Sequence, residues 1–153
     1  MKWLRSFAVG IAVRAGRAHP DITTENALRK TLLAAQSVAY SRLGASGIYF
    51  GELIKRMGIA AEINAKATIV PQGFTAERLV SGEADLAVQQ ISELKQVAGI
   101  EVVGPIPHDL QTPALFSAGR MATARNAAAV DRLLHYLASP EVAPVLRQSG
   151  LEP

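Results

Sequence analysis

Apolar positions along this chain follow two alternating periods. Short apolar runs occur at Val9-Gly10-Ile11-Ala12-Val13, Val38-Ala39-Tyr40, Ala67-Thr68-Ile69-Val70, Leu86-Ala87-Val88, Ile100-Glu101-Val102-Val103 and Ala114-Leu115-Phe116-Ser117-Ala118. Runs of this length bounded by turn residues predict strands, and the more continuous ones predict strands buried on both faces. Between them the spacing becomes helical. Leu28, Leu32 and Ala35 share a face of a first helix, capped by Thr23 or Thr24 with Glu25 in its first turn. Tyr49, Phe50, Leu53, Ile54 and Met57 share a face of a second, which Gly58 stops. Short helical stretches are predicted over residues 60–65, 75–82 and 91–97, and a longer one over 127–137. Ser139-Pro140-Glu141 predicts the start of a last helix, with proline in its first position, ending at Gly150. Strands alternating with helices predict an α/β fold with a mostly parallel sheet flanked by helices.

Open sheets of this kind bind ligands beyond the carboxyl ends of their strands. Three loops should gather there: residues 41–47, residues 71–74, and Gln89-Gln90. The first is the most informative. Gly44-Ala45-Ser46-Gly47 joins a strand to a helix through small residues, so a ligand can approach the backbone. The first N–H groups of the helix lack intrahelical partners and carry partial positive charge, which suits an anion. Any α/β crossover needs such a turn, so the motif is compatible with plain architecture as well. The candidate ligand contacts are Ser41, Ser46 and Gly47 in this loop, Gln72 and Gly73 in the next, and Gln89 and Gln90 after the buried strand. Two amides following a buried strand are costly unless hydrogen-bonded. Arg42 is a further candidate, placed to neutralise a carboxylate.

Composition narrows the chemistry. With 49% hydrophobic and 19% charged residues over 153 positions, the chain can build a core of its own. There is no cysteine, which excludes disulfides, thiolate metal sites and a cysteine nucleophile. His19, His108 and His135 share no metal-ligand spacing, so no metal is expected. The net charge of +3 comes from scattered basic residues with no aromatic interleaving, so no nucleic-acid partner is expected. The gathered loops offer no carboxylate pair and no nucleophile–base couple, so neither a catalytic residue nor a cofactor is assigned. The start, Met1-Lys2-Trp3-Leu4-Arg5, has the outline of a secretory leader. Its apolar run is only seven residues before Arg14, with no small-residue cleavage site, and no convincing signal peptide is read there.

The runs "AYSRLGASGIYFGELIKRMGI", "VPQGFTAERLVSGEADLAVQQISEL" and "VVGPIPHDLQ" resemble the second lobe of type II periplasmic solute-binding proteins, in the molybdate-binding-like branch. "VGIAVRAGRAHPDITT" is similar to the strand that crosses that family's hinge, and "AAAVDRLLHYLASPEVAPVLRQSGLEP" to its terminal helices. The resemblance implies three parts: an N-terminal strand and hinge segment over 1–16, an α/β ligand-binding lobe over 17–112, and a return strand with C-terminal helices over 113–153 that would pack on the other lobe. The bulk of the first lobe has no counterpart here, so an unfinished cleft and a homo-oligomer are expected. The implied function is that of the solute-binding component of an ABC-type transporter. It would work in the periplasm, hold a small oxyanion or carboxylate, and deliver it to a membrane permease. Where the molybdate proteins place a tyrosine, this chain has Gln89, which favours a carboxylate-bearing ligand over molybdate. The same branch implies two alternatives, an isomerase acting on an unsaturated tricarboxylate or a ketosteroid, and a self-associating structural fragment.

Overall fold

The computed structural model describes residues 2–112 and 114–152. Its strands are β1 (Lys2–Phe7), β2 (Val9–Arg14), β3 (Val38–Tyr40), β4 (Ala67–Ile69), β5 (Leu86–Gln90), β6 (Ile100–Pro105), β7 (Ala114–Ala118) and β8 (Leu151–Glu152). Its helices are α1 (Glu25–Ala34), α2 (Ala45–Arg56), α3 (Ala60–Ala65), α4 (Glu77–Val80), α5 (Ile91–Leu94), α6 (Ala127–Leu137) and α7 (Ala143–Gln148). The chain forms two compact units. The larger is Val9–Thr112; the smaller joins the stretch up to Ala8 with the stretch after Thr112.

The larger unit holds a five-stranded sheet in the order β4-β3-β5-β2-β6. β3 runs parallel to both β4 and β5, whereas β2 runs antiparallel to β5 and β6. The sheet is therefore mostly parallel with one reversed strand. Alanines sit side by side across its middle: Ala39 pairs with Ala87, and Ala87 with Ala12, all three fully buried. Such small side chains let Ala76, Leu79 and Leu94 pack close to the sheet. Leu28, Leu32, Phe50, Leu53 and Ile54 are almost completely buried on the other helices, each contributing about 2 kcal/mol through burial of apolar area. The Tyr40 and Phe50 rings meet edge to face, with centroids 5.0 Å apart at 69°, a favoured aromatic geometry.

α1 starts where the cap signal pointed. Thr24 is the capping residue, its hydroxyl oxygen accepting from the Ala27 N–H at 3.1 Å. Gly58 has φ +69°, as its stop role requires. Three local expectations shift. β5 runs on through Gln89 and Gln90, because these residues pair with Gly10 and Val9 of β2. Residues 108–110 form a single 3-10 turn within the expected loop. The last helix begins at Ala143, not at Pro140. The carbonyls of Ser139 and Pro140 are taken by the N–H groups of Val142 and Ala143 in tight turn bonds, and Pro144 occupies the early helical position instead.

The smaller unit has a three-stranded sheet, β7-β1-β8, in which β1 pairs antiparallel with both neighbours. α6 and α7 belong to the same unit. Residues 2–7 of the leader-like run form β1, while Met1 lies outside the described residues. Among the described residues no helix is long and apolar enough to cross a membrane.

Candidate functional site

Strand order carries the three loops to one edge of the larger sheet. β3 lies between β4 and β5, so loop 41–47 lies between loop 71–74 and the Gln89-Gln90 end of β5. The reversed strand β2 begins at that edge too, since Val9 pairs with Gln90. Gln111 closes the edge beneath, its amide donating to the carbonyls of Val9 at 2.7 Å and Ile106 at 3.1 Å.

The first loop is built around Ser41. Its hydroxyl oxygen accepts from the N–H groups of Leu43 at 3.3 Å and Gly44 at 3.2 Å. That turn brings the Ser41 carbonyl against α2 so closely that a Cβ at Gly47 would overlap it. Gly47 is thus dictated by backbone packing, whatever its N–H does. The first N–H taken into the helical ladder is that of Ile48, donating to Gly44 O at 2.9 Å. Those of Ala45, Ser46 and Gly47 have no backbone acceptor among the described residues. The Ser46 side chain sits in the same turn, 4% exposed, and its hydroxyl makes no hydrogen bond to another described residue. Arg42 is exposed and turns towards Asn64, with Nη2 3.5 Å from Oδ1. Tyr40, at the end of β3, is buried and donates its hydroxyl proton to the same Asn64 oxygen, so it belongs to the core.

Gln89 is drawn into the protein at the end of β5. It is 6% exposed and its amide is occupied within the protein. Oε1 accepts from the Thr75 N–H at 2.8 Å and the Thr75 hydroxyl at 3.1 Å, and Nε2 donates to Gly73 O at 3.3 Å. Gln89 therefore fastens loop 71–74 to β5. Gln72 and Gly73 are exposed on that loop, and Gly73, at φ +91°, makes its turn. Gln90 is half-buried at the strand end.

One residue at this edge escaped the sequence reading. Glu93 lies in the first turn of α5 and is partly buried. Burial raises its carboxyl above the ordinary carboxylate range, opposed by hydrogen bonds from the Gln89 side chain and the Gln90 backbone. The available signal was spacing: a glutamate three residues after the capping Gln90 is the reciprocal-cap pattern. Tyr49, on α2, donates to Leu110 O at 2.7 Å, and burial pushes its phenol up to about 12. Among the described residues no group of three His, Asp or Glu side chains could hold a metal ion.

Three polar strand-end loops, an open helix N-terminus and an unpaired hydroxyl in its first turn together suit a small anion. Residues 6–152 match the family of bacterial extracellular solute-binding proteins. The chain belongs to that family. A curated relative, the aconitate isomerase of a Pseudomonas species, is 40% identical over 146 residues, covering 95% of this chain and 55% of the relative. The solute-binding fold also appears in solved structures. The periplasmic molybdate-binding protein of Azotobacter vinelandii aligns with a TM-score of 0.69 at 14% identity, over 99% of this chain and 67% of that one. The substrate-binding domain of a provisionally assigned molybdenum ABC transporter from Clostridium difficile aligns with a TM-score of 0.76 at 16% identity, over 99% and 65%. At such identities the likeness shows the fold alone. This solute-binding chain spans about half the length of the curated relative it matches.

Proposed function

We propose that the carboxyl edge of the larger sheet is one wall of a site for a small polycarboxylate anion, in a solute-binding protein that serves an ABC-type transporter in the periplasm. The observation that carries this reading is the first turn of α2. Its N–H groups at Ala45, Ser46 and Gly47 have no backbone acceptor there, and the hydroxyl of the largely buried Ser46 beside them makes no hydrogen bond to another described residue. A carboxylate takes up several donors at once, and a helix N-terminus favours its charge. Arg42 at the rim offers a second carboxylate a guanidinium. Gln72, the Gly73 backbone and Gln90 line the approach, and Gln89 acts as the positioning residue that holds Gly73 in place.

The test is calorimetric titration of the chain with cis-aconitate, trans-aconitate, citrate, molybdate and sulfate. Heat from a tricarboxylate, lost in Ser46→Ala, supports the reading. Binding of molybdate or sulfate alone contradicts it.

The 40% identity to an aconitate isomerase favours a second reading, in which the same edge serves catalysis. Moving a double bond along an unsaturated tricarboxylate needs a group that removes a proton from the methylene beside one carboxylate. The C–H electron pair becomes the new double bond, the old double bond's pair moves to the far carbon, and that carbon takes the proton back. Glu93 is suited to take and return it: burial keeps its proton affinity above that of a solvated carboxylate. Interconversion of cis- and trans-aconitate, followed by proton NMR and abolished in Glu93→Gln, supports this reading. Binding without turnover supports the transport reading alone.

A further inference from the structure

We propose a second ligand site at the opposite end of the same sheet, taking a small amphipathic anion with a carboxylate or phosphate head and an apolar body. A pocket of about 490 Å³ opens there, within the usual size range of small-molecule sites. Val13 and Arg14, at the end of β2, and Leu86, at the start of β5, place it far from loops 41–47 and 71–74. It stands independently of the site at the carboxyl edge.

The lining divides into two parts. Val13, Leu79, Ala84 and Leu86 supply buried apolar wall, and Arg14 and Arg17 line the same space from the loop that follows β2. Neither guanidinium has a hydrogen bond or ion pair to another described residue, so both are available to an anion. The acid facing them, Asp85, already accepts from the Gln36 N–H at 2.8 Å, and its own N–H donates to the Ser37 hydroxyl at 3.0 Å. The wall therefore carries an excess of positive charge beside the accessible apolar surface of Ala18, Pro20, Ala34 and Ala35, which selects an anionic head joined to an apolar body.

The loop bearing the arginines is held in place before any ligand arrives. Glu101 accepts from the Gly16 N–H at 3.1 Å and pairs with His19 at 2.8 Å. The Ala15 N–H donates to Gly99 O at 2.9 Å, and the Arg17 N–H to Arg14 O at 3.1 Å. Across the pocket, the Thr31 hydroxyl donates to Asp21 O at 2.7 Å, fixing the start of α1's approach. Fixed walls lower the ordering cost of binding.

The test uses the full chain with octanoate, monooctyl phosphate, octanol and inorganic phosphate, read by calorimetry and by amide chemical shifts. Octanoate or monooctyl phosphate should bind, whichever head is preferred, and should shift the amides of Gly16, Gly82 and Asp85. Arg14→Gln with Arg17→Gln should weaken that binding about tenfold or more, and Ala34→Phe, which fills the pocket from its exposed edge, should remove it. Both changes lie at exposed positions, so folding is retained. Octanol binding as tightly as octanoate, no binding by either anionic octyl probe, or binding indifferent to the arginine substitutions would each overturn the proposal.

Discussion

Gln89 and Thr75 are joined twice across a sequence separation of 14, with the amide oxygen of Gln89 accepting from both the backbone N–H and the hydroxyl of Thr75. Both residues are buried, at 6% and 0% exposure, so the bonds are made away from water. Gln89→Ala leaves the buried Thr75 N–H without its acceptor, while the Thr75 hydroxyl keeps Val88 O at 3.3 Å, and it should cost about 2 kcal/mol of stability. Gln89→Glu keeps the acceptor but loses the donation to Gly73 and sets a second carboxylate beside Glu93. It should also destabilise, more strongly as pH rises. Urea unfolding measures both, and amide exchange at Thr75 should quicken in each.

Two glycines of the same helix should respond in opposite directions. At Gly47 a Cβ overlaps the Ser41 carbonyl, and backbone cannot yield as a side-chain tip can. Gly47→Ala should cost about 3 kcal/mol. At Gly51 nothing lies within 4 Å of the added carbon, and the residue is mid-helix. Gly51→Ala should stabilise by about 1 kcal/mol. Thermal unfolding of the pair checks the close approach at the loop.

The Glu101 carboxyl is held below its ordinary value of 4.5, first by His19 and then by the Gly16 N–H. A depressed carboxylate stabilises the fold above its unfolded value. That contribution is lost as pH falls below 4.5 through the lower folded value. Glu101→Gln should therefore lower the melting temperature at pH 7, and the difference from the parent chain should vanish in strong acid. A difference independent of pH would contradict the ionised carboxylate's part in it.

Tyr49 carries the opposite shift, from 10.0 up to about 12, because burial disfavours the phenolate. A raised folded value means that the associated stability is lost as pH rises from 10.0 through about 12. Ultraviolet absorbance titration should show a late-ionising step, and Tyr49→Phe should remove it. The lost hydrogen bond to Leu110 should cost about 1 kcal/mol.

The smaller unit leaves Leu115, Phe116, Leu133, Tyr136 and Val145 between 45% and 60% exposed. Exposed apolar surface of this extent favours association, and the solution mass should exceed that of one chain at micromolar concentration. Leu133→Lys with Tyr136→Lys should return it to the monomer. A monomeric parent chain would contradict the expected self-association.

Much of this architecture was legible because its signals are local. Thr24, Gly58, Gly82 and the alternation of short apolar runs with helical spacing belong to backbone chemistry that a few neighbours decide. The strand–helix connection at residues 41–47 was legible for the same reason: small residues between a strand and an amphipathic helix. What escaped depends on distant partners. Nothing in "VQQISEL" says that Gln89 spends its amide on Thr75 and Gly73, since that pairing follows from the sheet order β4-β3-β5, which brings the loop after β4 towards the end of β5. Nor does the sequence show that Glu93 is drawn out of water beside it. The reversed direction of β2 was equally hidden, because a strand's apolar pattern reads the same from either end. At Ser139-Pro140 a good helix-start pattern was overruled by a tight turn whose carbonyls take the Val142 and Ala143 N–H groups.

The central claim is that the first turn of α2 receives a carboxylate. Amide chemical shifts of the ¹⁵N-labelled chain, followed while trans-aconitate is added, test it most directly. Saturable shifts are expected, largest at Ala45, Ser46 and Gly47 and reduced in Ser46→Ala. Shifts confined to other parts of the chain, or none at all, would contradict it.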